Sequence, residues 1–71
     1  MHIRFTYHAQ IRFYERNFSI EQMKDTIINP DYTRISQDGK IVSRKKFING
    51  EIEVVYLQRG NKYIIITVYF P

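Results

Sequence analysis

Three turn signals, Asp38-Gly39, Asn49-Gly50 and Arg59-Gly60-Asn61, punctuate the second half of the chain, and they constrain its fold more than any other feature. The first two are dipeptides that tolerate positive φ in two-residue hairpin turns, and the third suits a slightly longer connection. From Tyr32 onward the side chains follow a period of two, as strands require. The signals divide this half into four strands, roughly 32 to 37, 40 to 47, 51 to 58 and 62 to 70. Strands joined by such short connections form an antiparallel meander.

The first half has a different periodicity. HIRF (residues 2 to 5) alternates as a short strand, and Thr6 can cap a helix starting near Tyr7 by accepting from its first free amides. Tyr7, Ile11 and Tyr14 fall on one helical stripe, which is expected to face the sheet, and Asn17 ends the helix. SIEQ then sets Ser19 and Gln22 in a capping-box pattern for a second helix, with Ile20, Met23 and Ile27 as its apolar stripe and Pro30 as its stop. The expected fold class is α+β, in the order β-α-α-β-β-β-β. Two helices pack on one face of a four- to five-stranded antiparallel meander, in a single domain over residues 1–71. The last strand, KYIIITVYF, is apolar on both alternating sets: Ile64, Ile66, Val68 and Phe70 on one, Tyr63, Ile65, Thr67 and Tyr69 on the other. It is either made central by the N-terminal strand pairing beside it, or left as an apolar edge that invites a homodimer or another partner.

A 71-residue chain builds a small core, so support from a partner or from self-association is expected. Its formal charge of +4 is locally concentrated, since KIVSRKK (40 to 46) has four basic residues and no acid. That balance favours a phosphate-rich or acidic partner. The absence of cysteine excludes a disulfide framework, a thiolate zinc site and thiol redox chemistry, and fits a cytoplasmic location. No signal-peptide core and no run near the ~20 apolar residues of a membrane helix occurs, so no membrane association is expected.

Two groups of side chains can carry chemistry. His8, Arg12 and Arg16 are spaced i, i+4, i+8 and form a polar ridge along the first helix, with Glu15 best placed to pair with Arg12. In KIVSRKKF, Ser43 and Lys45 share a face with Ile41 and Phe47, and Arg44 and Lys46 share the other with Val42. Each group read alone describes a solvated surface; basic elements converging on a cleft would instead hold several phosphates. His2 and His8 have no metal-ligand spacing and the three glycines all sit in turns, so neither a metal nor a nucleotide cofactor is expected. Metal-free cleavage of RNA suits the residues present, because the ribose 2′-hydroxyl supplies the nucleophile. His8 would move the proton, Arg12, Arg16 and Lys45 would hold the phosphorane, and Tyr69 would stack a base.

The order of these motifs resembles that of a known family. His8-Ala9-x-x-Arg12-x-x-Glu15-Arg16, Ser19-x-Glu21, Pro30, Gly39, the basic strand, Val54-Val55-Tyr56 and Ile66-Thr67-Val68-Tyr69 are similar to a family of small proteins known as a domain of unknown function. That family looks distantly related to RelE-type and BrnT-type toxins. The resemblance implies a RelE-like fold, a metal-independent endoribonuclease and a neutralising antitoxin. His8, Arg12, Arg16, Thr67 and Tyr69 occupy the matching positions, whereas Arg44 and Lys45 match a basic tendency. The expected catalytic set is thus His8, Arg12, Arg16, Lys45 and Tyr69, and the expected RNA contacts are Lys40, Arg44, Lys46 and Thr67. The alternative is a non-catalytic basic module that binds nucleic acid or protein.

Overall fold

A computed structural model describes all of residues 1–71. The elements are β1 (His2–Phe5), α1 (Tyr7–Glu15), α2 (Ile20–Ile28), β2 (Tyr32–Ile35), β3 (Ile41–Phe47), β4 (Gly50–Arg59) and β5 (Lys62–Tyr69). This is the expected order and an α+β fold. The five strands form one sheet in the order β1-β5-β4-β3-β2. The sheet is mixed and not wholly antiparallel, because β1 runs parallel to β5. Four alternating strands leave β5 running opposite to β2, so the helical pair returns the chain to the end of the sheet where β1 finishes, and β1 and β5 run the same way. The last strand is therefore central.

The helices are capped as their sequences suggest. The Thr6 hydroxyl accepts from the Ala9 N–H at 3.2 Å, and Ser19 accepts from the Gln22 N–H at 3.2 Å. Asn17, at φ 57°, ends α1 in the left-handed conformation that asparagine tolerates. The Phe18 N–H donates to the Phe13 carbonyl at 3.2 Å and the Asn17 N–H to the Tyr14 carbonyl at 3.3 Å. This Schellman closure turns the chain at once into α2 and seats Phe18 in the core.

The phase of α1 differs from the expected one. Ala9 is fully buried and Phe13 packs against the core, while Tyr7, Ile11 and Tyr14 are 81%, 38% and 74% exposed. No linker separates β1 from α1, and Thr6 is tied twice to β5, by its N–H to the Ile65 carbonyl (3.0 Å) and by its hydroxyl to the Ile66 carbonyl (3.2 Å). These anchors fix the rotation of the helix. The methyl of Ala9 lets α1 approach the sheet closely, where a tyrosine would hold it off.

A β-bulge between Val55 and Tyr56 shifts the pairing within β5, because Thr67 pairs with Val55 and Ile65 with Tyr56, leaving Ile66 as the extra residue. The bulge overturns the expected division of the last strand. Tyr63, Ile65 and Val68 face the helices, whereas Ile64, Thr67 and Tyr69 face away. Ala9, Phe18, Met23, Ile27, Ile52, Val54, Tyr56, Ile65 and Val68 make one core between the helices and the sheet. Both helices lie on this side, and the other side of the sheet has no cover.

The turns are also displaced. Phe47 pairs with Gly50, so the second connection is Ile48-Asn49, and Arg59 pairs with Lys62, so the third is the two-residue loop Gly60-Asn61. The first turn is the longer one. There the Ser36 N–H donates to the Lys40 carbonyl at 2.8 Å, and Asp38 accepts from both Ser36 and Lys40.

Asp38 is held down to about 2 from its ordinary 3.8, by the Lys40 hydrogen bond first and Ser36 next. Asp25 is also lowered, by Asn29 first and then Lys45. A carboxyl depressed in the folded state stabilises it above the unfolded pKa and loses that contribution as pH falls through the folded value. The thermal midpoint is therefore expected to decline as pH drops from about 4 toward about 2, and Asp38→Asn should flatten the most acidic part of that decline.

Candidate nucleic-acid interface

The uncovered face of the sheet follows from strand register. On it, Arg4 of β1 stands beside Ile64 of β5, which pairs with Leu57 of β4. Val42, Val55 and Thr67 form the next row, with Arg34 of β2 at its end. A third row crosses four strands: Tyr32, Arg44, Glu53 and Tyr69. At ~4.8 Å between strands this row is about 14 Å wide, with an aromatic ring at each end. Lys46 and Glu51 lie beyond it, and Arg59 and Lys62 lie at the far end of the face.

The charges are unevenly shared between the two sides. Six cations (Arg4, Arg34, Arg44, Lys46, Arg59 and Lys62) and two carboxylates (Glu51 and Glu53) stand on the open face, which therefore carries the whole formal charge of +4. Everywhere else, five cations balance five carboxylates.

Glu53 is the least expected member. It is only 4% exposed although no helix covers it. Arg44 donates to its Oε1 from Nε at 2.9 Å and from Nη2 at 2.6 Å, and Arg44 Nη1 lies 3.8 Å from Glu51 Oε1. The hydrogen bond to Glu53 is the main reason the Arg44 guanidinium is held more firmly in its charged form; burial opposes it, and the charges of Glu53 and Glu51 add to it. Both of these hydrogen bonds end on Oε1, and no buried side-chain oxygen lacks a partner. No hydrogen bond ends on Glu53 Oε2, and this oxygen, at the open side of the sheet, is not completely enclosed. The arrangement offers a carboxylate oxygen, a guanidinium beside it and a phenol on the neighbouring strand.

The residues expected to form a site are divided among separate surfaces. Arg44, Lys46, Thr67 and Tyr69 share the open face. His8, Arg12 and Arg16 lie along α1 on the other side of the sheet, with His8 and Arg16 exposed and Arg12 half-buried. Glu15 forms no ion pair with Arg12; it points to solvent. Lys45 shares the helix side but is committed to α2: its Nζ lies 3.1 Å from Asp25 Oδ2, donates to the Asn29 carbonyl at 2.8 Å and sits over the Phe47 ring. A cation at the last carbonyls of a helix complements its dipole, so Lys45 secures α2 to the sheet. Lys40 closes the first turn through its 2.8 Å pair with Asp38.

Sequence reading missed Tyr32 and Glu53. The signal for Glu53 was a carboxylate between Ile52 and Val54 in an otherwise apolar strand. A turn at Asn49-Gly50 would set Arg44 opposite Val55; the observed turn at Ile48-Asn49 sets it opposite Glu53.

No curated protein and no solved structure matches this chain. A family model described as a domain of unknown function, DUF4258, matches residues 5–70, which include both helices, β2 to β5 and every residue of the Tyr32-Arg44-Glu53-Tyr69 row. The chain therefore belongs to the DUF4258 family.

Proposed function

We propose that this chain binds single-stranded RNA on its open sheet face and cleaves it without a metal, as a RelE-like toxin acting in the cytoplasm and restrained by an antitoxin. The observation that carries this reading is the concentration of the whole net charge on the uncovered face, around a row containing two tyrosines, an arginine and a carboxylate oxygen that no hydrogen bond occupies. Cations there neutralise phosphates and release counterions, while Tyr32 and Tyr69 offer rings for unstacked bases.

In the proposed reaction the 2′-hydroxyl attacks the adjacent phosphorus and gives its proton to Glu53 Oε2. Arg44 holds the charge that develops on the phosphorane oxygens. The bond to the 5′-oxygen breaks, and that oxygen takes a proton from the Tyr69 phenol or from water. The products are a 2′,3′-cyclic phosphate and a 5′-hydroxyl. The His8-Arg12-Arg16 ridge takes no part, because the sheet stands between it and this face.

Incubation of the purified protein with a single-stranded RNA, followed by end-group analysis, tests the reading. The expected products carry cyclic phosphate, and their yield is unchanged by His8→Ala and sharply reduced by Glu53→Gln. Intact RNA after prolonged incubation contradicts it.

One observation favours binding without cleavage. Arg44, the central cation, is already engaged by Glu53 and Glu51. A pure binding module would show affinity that falls log-linearly with salt while its RNA stays whole.

A further inference from the structure

We propose that α1 is a self-association surface on which a second copy of this chain docks antiparallel. Tyr7, Ile11 and Tyr14 are spaced four and three residues apart, the seam of a helix that packs against another helix, and all three face solvent. Within the chain the stripe is used only in part: Tyr14 meets the Phe13 ring edge-to-face, while Tyr7 is 81% and Tyr14 74% exposed. Beside it lies a mostly apolar cavity of about 330 Å³, lined by Phe5, Gln10, Phe13, Tyr14 and Ile20.

The flanking polar side chains point to the occupant. With the seam at these positions, His8 and Glu15 border it on one side and Gln10 on the other. In an antiparallel pair of identical helices related by a two-fold axis near Ile11, like flanks meet. His8 of each copy then stands opposite Glu15 of the other, twice over, and the two Gln10 amides face one another. Arg12, one turn from His8, adds a cation toward the same carboxylate. Tyr7 of one copy comes beside Tyr14 of the other, at the mouth of the cavity, which has room for its ring. Such self-complementarity is what an isologous interface requires. One short helix per copy gives less than the standard interface area, so the dimer is a weak one.

The inference does not rest on the RNA reading. Docking through the helix layer leaves both open sheet faces on the outside of the dimer, pointing away from each other.

Sedimentation velocity on the full chain from micromolar to millimolar concentration tests the proposal, with circular dichroism confirming that each variant is folded. The wild type is expected to shift from monomer to dimer. Ile11→Glu should remain monomeric, and Glu15→Lys should weaken dimerisation at least about tenfold by replacing the carboxylate that His8 and Arg12 face with a cation. The double variant His8→Glu with Glu15→Lys should recover most of that loss. Each of three results overturns the proposal: a monomer at millimolar concentration, a dimer indifferent to Ile11→Glu, or a double variant no tighter than Glu15→Lys alone.

Discussion

The Glu53→Gln variant is expected to hold RNA at least as tightly as the wild type while cleaving it about a hundredfold or more slowly. The side chain keeps its shape, and the glutamine oxygen can still accept from Arg44, so the row across the sheet persists. What is lost is the basic oxygen. A base that takes a proton in the transition state contributes ~10²- to 10⁴-fold, which sets the expected size of the loss. Binding should tighten slightly, since a negative charge has left a surface that attracts phosphates. Single-turnover cleavage and equilibrium binding, measured on the same RNA, separate the two effects. Cleavage unchanged by Glu53→Gln would remove this residue from the mechanism.

Arg44→Ala is expected to damage stability as well as RNA binding. It leaves the Glu53 carboxylate, 5% exposed, without the guanidinium that it accepts from. Stranding a buried charge costs several kcal/mol, but Arg44 is itself 39% exposed and water can enter where it stood, so about 2–3 kcal/mol is expected here. In a domain this small, where a core contributes ~3–5 kcal/mol, that is a large share of the total. The melting temperature should fall by roughly 10–20 °C. Replacing both partners by leucine should restore most of the loss, because the penalty comes from the unpaired charge. A double variant as unstable as Arg44→Ala would show that the pair itself holds the sheet together.

Local chemistry made much of the fold legible. Thr6 and Ser19 name the starts of both helices because their hydroxyls have free amides within reach, Asn17 marks a left-handed stop, and the glycine turns count the strands. What escaped depends on contacts between distant segments. The rotation of α1 is set by two bonds from Thr6 to β5, sixty residues away in sequence for the hydroxyl bond, and no periodicity within the helix encodes them. The bulge at Ile66 reverses the faces of part of β5, and a run of isoleucines reads equally well on either face. The parallel pairing of β1 follows from the path of the whole chain.

The site was legible only in part, for a related reason. Arg44, Lys46, Thr67 and Tyr69 are legible as site candidates and share one face, yet Glu53, which stands between Arg44 and Tyr69 in the row, is not. A hairpin turn one residue earlier than its asparagine-glycine signal changes every cross-strand partner in β3 and β4, and the Arg44–Glu53 pair becomes visible only with the correct register. The i, i+4, i+8 spacing makes the ridge of His8, Arg12 and Arg16 legible as a continuous feature of α1. Its relation to the basic strand could not be read, because that depends on which side of the sheet each occupies.

The central claim is that RNA occupies the uncovered face. Titration of isotopically labelled protein with a short single-stranded RNA, followed by amide and side-chain NMR shifts, tests it most directly. The account predicts perturbations at Tyr32, Arg34, Arg44, Glu53, Thr67 and Tyr69, with His8, Ile11 and Arg16 left in place. Shifts confined to α1, or no saturable shifts at low salt, would contradict it.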